Sequence, residues 1–186
     1  MRECDGVTAG TPASASSNWK RILQERLPLY GHRNWVVVAD SAYPAQARDG
    51  IETIVADAEQ AAAVEKVLAM LRASKHVKSI VYMDQELAFV EEQDAPGISA
   101  YRDKIASLLE GFTAKVLPHE EIIAKLDRAG QIFRVLIIKT SMTIPYTSVF
   151  FELGCAYWNS DAENRLRSTM KRGIKRGREG KSRKLK

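Results

Sequence analysis

The chain has 186 residues, of which 45% are hydrophobic and 27% are charged, and its formal net charge at pH 7 is +5. This composition is typical of a soluble globular protein and fits one domain with short tails. The longest apolar runs fall well short of the roughly 20 residues that a membrane span needs, and the N-terminal stretch lacks the apolar core of a signal peptide. We therefore expect a cytoplasmic protein with no membrane partner.

The positive charge is concentrated near the C-terminus. Residues 165–186 contain eleven Lys or Arg and one acid, which leaves 17 basic and 22 acidic residues in the rest of the chain. The body is therefore mildly acidic, and we expect residues 161–186 to form a basic, disordered tail. The two cysteines, Cys4 and Cys155, have neither metal-ligand nor redox-motif spacing, so we expect reduced thiols.

The apolar pattern predicts alternating helices and strands over residues 17–160, after a disordered N-terminal tail of residues 1–16. Ser17 is expected to cap the first helix, and the run WVVVA at 35–39 has the pattern of a strand buried on both faces. The later elements are a strand near 51–55, a helix at 57–73, a strand at 79–83, a helix over 101–112, a strand at 114–117, a helix at 119–130 and a strand at 133–139.

Two segments are less clear in the sequence. Residues 149–158 fit either a strand or a buried helix, because periodicity does not separate the two. Residues 84–98 contain five acids, Pro96 and Gly97, and they predict a loop that could act as a lid. The alternation as a whole predicts an α/β protein, a three-layer sandwich with a mainly parallel sheet, built as one domain over residues 17–160.

The stretch GHRNWVVVADSAYP (31–44) places a titratable residue at each end of a predicted buried strand. His32 precedes the strand and Asp40 follows it. At roughly 3.3 Å per residue, a five-residue strand is about 16 Å long. The two side chains should therefore lie at opposite edges of the sheet, where they have separate roles or meet through a neighbouring subunit.

The strength of each candidate depends on its place in the fold. Asp40 stands at the carboxyl end of a strand, where open α/β sheets form ligand crevices, although capping of the next loop is an equal alternative. His32 and His119, which begins a predicted helix after Pro118, should lie on the rim, and a structural role is the alternative for both. His76 lies among lysines and is expected to be a solvated surface residue.

Three motifs, in matching order over roughly residues 17–158, resemble those of the RbsD/FucU family of sugar mutarotases. The first is GH, followed by an Asp eight residues after the His and then by Pro44. The second is PHEEIIAKL (118–126), which is similar to the segment that supplies a second histidine in the pyranases. The third is VLIIKTSMTIPYTSVFFELG (135–154), which is similar to the closing segment with its Pro-Tyr pair. The resemblance implies an RbsD-like fold.

The resemblance also implies roles for particular residues. His32 falls on the general acid/base, Asp40 on a sugar-binding carboxylate and His119 on the second histidine. Tyr146 falls on the sugar-contacting tyrosine, and Ser148 stands where the family usually has Asn. Family members are cyclic homo-oligomers, typically decamers, with the site between adjacent subunits. With the sites between subunits, the two ends of one strand would belong to two different active sites.

The resemblance implies an isomerase, a mutarotase or pyranase that acts on a free ribose- or fucose-like monosaccharide. Opening a cyclic hemiacetal removes a proton from the anomeric hydroxyl and gives one to the ring oxygen, which histidine can do near neutral pH. The reaction needs no metal, nucleotide or covalent intermediate, so the resemblance implies no metal and no other cofactor. A carboxylate such as Asp40 can accept hydrogen bonds from neighbouring sugar hydroxyls.

Two other hypotheses remain open. The first is a non-catalytic sugar-binding or regulatory protein of the same fold, because Lys139 and Ser141-Met142 depart from the Arg and Gly-Glu of the closing motif. The second is a nucleic-acid-binding protein that uses the basic tail to contact phosphate backbones. It is the weaker hypothesis, because the tail has no interleaved aromatic residues for base stacking.

Overall fold

The computed structural model describes residues 15–112 and 114–183, and within them six strands and five α-helices. In chain order these are α1 (Ala15–Arg26), β1 (Trp35–Ala39), β2 (Ile51–Val55), α2 (Gln60–Ala73), β3 (Val77–Asp84), α3 (Ile98–Leu108), β4 (Lys115–Leu117), α4 (His119–Gly130), β5 (Val135–Lys139), β6 (Val149–Cys155) and α5 (Ser160–Arg183). Short 3-10 turns follow α1 and β3.

The six strands form one sheet in the order β2-β5-β1-β6-β3-β4. The neighbours β2–β5, β5–β1 and β3–β4 are parallel, whereas β6 is antiparallel to both β1 and β3. Five strands therefore share one direction, and their carboxyl ends meet at one edge, which we call the carboxyl edge; the opposite edge is the amino edge. The predicted mainly parallel α/β sheet is confirmed, and residues 149–155 form a strand.

Helices cover both faces of the sheet. All five residues of β1 are buried, as its continuous apolar run predicts for a central strand. Val36 and Val38 pack in a cluster that includes side chains of α1, α2 and α3, and the alternate residues of β1 pack with Ile122 and Leu126 of α4. Burial of each such leucine or isoleucine stabilises the fold by about 1.5–3 kcal/mol. The structure is therefore the predicted three-layer sandwich.

The acidic segment 84–98 is packed against α3. Leu87 and Ala95 are buried, and the carboxylate of Glu92 accepts hydrogen bonds from the backbone N–H groups of Gly97 at 2.5 Å and Ser99 at 3.0 Å. These bonds hold the pKa of Glu92 at about 2. Gly97 has a φ of 94°, which a residue with a Cβ rarely adopts. The segment is thus anchored to the start of α3, which argues against a lid.

The two ends of the chain differ from the expectation. Helix α1 begins at Ala15, so Ser17 lies within the helix and is not its N-cap. Residues 160–183 form α5 where we expect a disordered tail. Here Asn159 accepts a hydrogen bond from the N–H of Ala162 at 2.8 Å, and Glu163 pairs with Arg167 at 2.6 Å. A cap and an i,i+4 ion pair favour a helix that low-complexity composition does not reveal.

Residues 1–14 and 184–186 of the predicted tails lie outside the described residues. In the part of the chain that the structure describes, no helix is both long enough and apolar enough to cross a membrane.

Candidate functional site at the carboxyl edge

Two aspartates lie at the carboxyl edge, on either side of strand β6. Asp40 directly follows β1, and Asp84 is the last residue of β3. Val149, the first residue of β6, is in register with residues near the ends of both β1 and β3. Ser148 therefore enters the sheet between the two aspartates. This register brings together three polar residues that are far apart in the sequence.

The carboxylate of Asp40 is held in place by its own chain. Its Oδ2 accepts a hydrogen bond from the Ser148 hydroxyl at 3.0 Å, and its Oδ1 accepts one from the N–H of Ala42 at 3.0 Å. Ser148 is buried, and its hydroxyl is committed to this contact. Asp40 itself is half-buried. Because each carboxylate oxygen has two lone pairs, Asp40 can accept further hydrogen bonds from a ligand.

His119 is brought to Asp84 by the pairing of β4 with β3. Leu117 is in register with Asp84, and Pro118 then leads into α4, whose first residue is His119. The ring Nδ1 lies 3.1 Å from Oδ1 of Asp84. The backbone N–H of His119 donates to both carboxylate oxygens of Glu86, each at 3.1 Å. Glu86 thus satisfies a free N–H at the start of α4 and places negative charge where a helix favours it.

Asp84 is a buried carboxyl group. Its side chain has no exposed surface. In the part of the chain that the structure describes, neither carboxylate oxygen has a well-aligned hydrogen-bond partner, although Oδ1 lies 3.1 Å from Nδ1 of His119. Burial raises its pKa to about 6; His119 opposes this change, and the negative charges of Glu86 and Asp40 add to it. A carboxyl that titrates at about 6 exchanges its proton close to neutral pH, as groups in catalytic sites often do.

Tyr146 stands beside His119 in a strained backbone conformation. The two rings meet edge to face, with their centroids 5.6 Å apart. Tyr146 has a φ of 59°, and 37% of its surface is exposed. The next carbonyl, that of Thr147, accepts hydrogen bonds from the buried Gln60 amide at 2.8 Å and from the Tyr101 hydroxyl at 2.5 Å. These contacts from α2 and α3 hold the loop in a conformation that a tyrosine does not favour.

His32 lies at the amino edge, at the other end of β1. It is exposed, and its Nε2 accepts a hydrogen bond from Nε of Arg33 at 3.0 Å. Arg33 has a φ of 75°, and its N–H donates to the carbonyl of Leu153 at 2.7 Å. The structure therefore places His32 and Asp40 at opposite edges of the sheet, as the length of the strand predicts.

Of the five predicted site residues, Asp40, His119, Tyr146 and Ser148 lie together at the carboxyl edge, and His32 does not join them within one chain. Sequence reasoning missed Asp84 and Glu86. The signal for Asp84 was present, because it directly follows the predicted strand at 79–83, as Asp40 follows the one at 35–39. The sequence did not show that β4 and His119 lie next to it.

His76 lies against backbone carbonyls near the end of α1. His76 is half-buried, and its Nε2 lies 3.2 Å from the carbonyl oxygen of Leu27 and 2.9 Å from that of Tyr30, so the expectation of a solvated residue is wrong. Within residues 15–112 and 114–183, no three His, Cys, Asp or Glu side chains are grouped as a metal ion would require.

Comparison with solved structures identifies this α/β architecture as the RbsD/FucU fold. The chain aligns with the Streptococcus pneumoniae fucose mutarotase in complex with L-fucose at a TM-score of 0.50 and 19% identity, over 72% of this chain and 91% of that chain. Bacillus subtilis RbsD complexed with D-ribose aligns at a TM-score of 0.49 and 20% identity, over 82% and 98% of the two chains. FucU from Bifidobacterium longum aligns at a TM-score of 0.47 and 15% identity, over 72% of this chain and 92% of that chain.

The likeness confirms, at the level of the fold, the resemblance that the three motifs indicate. No family model matches the chain, and no curated protein matches it in sequence.

Proposed function

We propose that this protein is a sugar mutarotase that interconverts ring forms or anomers of a free ribose- or fucose-like monosaccharide by general acid/base catalysis. One observation carries the proposal: Asp40, Ser148, His119 and Tyr146 converge at the carboxyl edge of an RbsD/FucU fold. These are the residues that the motif resemblance assigns to sugar binding. They come from three separate segments of the chain, and only the fold brings them together.

The carboxyl-edge residues would bind and orient the sugar. Asp40 would accept hydrogen bonds from neighbouring sugar hydroxyls, with its carboxylate fixed by Ser148. Because Ser148 is buried and donates to Asp40, its effect on the sugar would pass through that carboxylate. Tyr146 offers a partly exposed ring and hydroxyl to the same region, and His119 offers an imidazole that can exchange a proton.

His32 would supply acid/base catalysis from a second subunit. The strand between His32 and Asp40 is about 16 Å long at roughly 3.3 Å per residue, so one sugar cannot contact both residues of one chain. A homo-oligomer, in the manner of the decamers that the resemblance implies, would place the amino edge of one subunit against the carboxyl edge of the next. Each site would then combine His32 of one copy with the four residues of its neighbour.

The mutarotase activity is tested by proton NMR on a panel of reducing sugars that includes ribose and fucose. Saturation transfer between ring forms, seen only with the protein and lost in His32→Ala, is the expected result. Exposed Lys75→Ala serves as a control for an unrelated surface change at the same edge of the fold. Absence of transfer for every sugar, with the protein folded and assembled, would refute the mutarotase.

Subunit complementation tests the shared site separately. His32→Ala and Asp40→Asn chains, each inactive alone, are coexpressed with different tags, and mixed oligomers are isolated. If each site takes His32 and Asp40 from different copies, random mixing restores about one quarter of the sites. A site built within one chain would show no recovery, and a mechanism that does not use His32 would leave the His32→Ala chain active on its own. A protein that is active and is monomeric by light scattering would also overturn the shared site.

A non-catalytic sugar-binding role is the second candidate. It is favoured by Ser148, whose hydroxyl is occupied by Asp40, and by Lys139 and Ser141-Met142 in the closing motif. Calorimetry with the same sugar panel separates the two candidates, since a binding protein would take up a sugar that it does not interconvert. Salt-sensitive binding of a DNA duplex, with no response to any sugar, would instead support nucleic-acid binding by the basic C-terminal segment.

A further inference from the structure

Within the described residues, the buried carboxyl group of Asp84 has an ion-pair contact with His119 but no well-aligned hydrogen bond. A buried carboxylate is costly unless it is paired and hydrogen-bonded, and most buried polar atoms have a partner. The nearest ring atom, Nδ1 of His119, is itself buried and lies 3.1 Å from Oδ1. Burying the Asp84 carboxylate beside a histidine lowers the stability of the fold, and its presence there calls for a functional explanation.

The orientation of the His119 ring supplies that explanation. Nδ1 is buried against Asp84, whereas the side chain as a whole keeps 24% of its surface exposed. The part of the ring that a sugar can reach therefore lies away from Nδ1. The ring also packs edge to face against Tyr146, which the proposed function places at the sugar. A carboxylate behind one ring nitrogen determines which of the two nitrogens carries the proton.

We propose that Asp84 is a positioning residue that keeps the proton of His119 on Nδ1, so that Nε2 faces the sugar as the proton-exchanging nitrogen. The inference deepens the proposed mutarotase function and rests on it. It gives His119 a role in proton transfer in addition to binding, and it assigns to Asp84 the task of orienting the ring. The same arrangement, a carboxylate that fixes the tautomer of a catalytic histidine, occurs in enzymes of unrelated folds.

The proton balance of ring opening fits two histidines. Nε2 of His119 takes the proton of the anomeric hydroxyl as the bond from C1 to the ring oxygen breaks and the carbonyl forms. The ring oxygen receives a proton from the acid on the other side, the proposed His32 of the neighbouring copy. After rotation about the C1–C2 bond, closure reverses both transfers. No oxidant, reductant or further reactant is consumed.

Several charged groups surround Asp84. Glu86, in the turn after β3, and Asp40, after β1, add negative charge; His119 of α4 opposes it. The hydroxyl groups of Tyr43 and Tyr101, whose pKa values are raised mainly by burial, respond to the charge of Asp84. Loss of the negative charge at low pH would free His119 from its fixed orientation. Activity should therefore rise with pH through about 6, as the Asp84–His119 pair loses a proton.

The first test is a double-mutant cycle with Asp84→Asn and His119→Gln, measured as saturation transfer on the sugar that the wild type interconverts. Carboxylates that orient a functional histidine are worth from about 10-fold to about 10⁴-fold in turnover, and we expect a loss of at least about 10-fold here. We expect that loss in kcat, with little change in KM, and we expect the rise near pH 6 to disappear. Once His119 is replaced, Asp84→Asn should have no further effect. Additive losses would overturn the inference.

The second test does not depend on turnover. Nitrogen-15 NMR of the His119 ring at pH 8 reports which nitrogen carries the proton. We expect a proton on Nδ1 in the wild type and a shift toward the Nε2-protonated form in Asp84→Asn. Glu86→Gln is the matched control, because Glu86 contacts the backbone N–H of His119 and not its ring. An unchanged tautomer in Asp84→Asn would refute the role of Asp84, whereas the expected shift in a protein without turnover would refute only the mutarotase.

Discussion

Replacement of Asp84 by asparagine should stabilise the protein at pH 8. The substitution keeps the size of the side chain and removes a charge that is buried in the folded state and hydrated in the unfolded state. Asp84 has its pKa raised from 3.8 to about 6 on folding. Each pKa unit corresponds to about 1.4 kcal/mol, so the ionised carboxylate costs the folded state about 3 kcal/mol at pH 8.

The sign of the pH dependence follows from proton binding. Between pH 4 and pH 6 the folded state binds more protons at Asp84 than the unfolded state does, so wild-type stability falls as the pH rises through this interval. Below it the group is neutral in both states, and the cost disappears. The asparagine variant has no such titration. Its advantage over the wild type should therefore be largest above pH 6 and absent at and below about pH 4.

The assay is urea unfolding followed by tryptophan fluorescence at pH 4, 6 and 8, at one fixed protein concentration because assembly would contribute to stability. A gain of about 3 kcal/mol corresponds to a rise in Tm of about 6–12 °C for a chain of this size. Exposed Asp103→Asn controls for the change in net charge. A variant that is less stable than the wild type at pH 8, or whose advantage is independent of pH, would refute the account of Asp84 as a costly buried charge.

Three further predictions test the surroundings of the site. Gly50→Ala should destabilise the fold by at least about 2 kcal/mol in urea unfolding, because its Cβ would meet the backbone carbonyl oxygens of Gly130 and Phe133, which cannot move aside. Gln60→Leu should cost about 2–3 kcal/mol by the same measurement, because it removes the buried amide that donates to two backbone carbonyls; an unchanged midpoint would contradict the importance of these bonds. Tyr146→Phe should leave thermal stability within about 0.5 kcal/mol and raise KM for the sugar, since Tyr146 is 37% exposed and its hydroxyl makes no side-chain hydrogen bond within the described residues; an unchanged KM would exclude a hydroxyl contact with the sugar.

The sheet could be predicted from the sequence because its strands carry their own signal. The run at 35–39 is apolar at every position, and the structure buries all five residues at the centre of the sheet. The separation of His32 from Asp40 also followed from strand length alone. Segment 149–155 was ambiguous because a fully buried strand and a buried helix share the same apolar composition, and only its pairing with β1 and β3 distinguishes them.

The pairing of Asp84 with His119 could not be predicted in this way. It depends on the order of strands in the sheet, which places β4 beside β3, and on a register that aligns Leu117 with Asp84. Local sequence contains neither fact. The helix at 160–183 was missed for a different reason. Its basic composition indicates disorder, whereas the cap at Asn159 and the Glu163–Arg167 pair act through specific spacings.

Backbone strain provides an argument for function that does not depend on likeness to other proteins. Within the described residues, the non-glycine positions with positive φ are Arg33 and Tyr146. One adjoins His32 at the amino edge, and the other is a candidate site residue at the carboxyl edge. Strained residues persist where the surrounding structure holds them, and they concentrate at functional sites.

The two strained positions lie at opposite edges, and one of these edges also holds the buried carboxyl of Asp84, which within the described residues has no well-aligned hydrogen bond. Strained backbone and poorly satisfied buried polar groups are expected where function requires them. Here such features mark two separate regions of one chain. A single-chain site would concentrate such departures at one edge. Their division between two edges is what a site shared by adjacent copies would produce, because each copy would then supply a different half at each end of β1. The complementation of His32→Ala by Asp40→Asn is therefore the most direct test of the proposed mechanism.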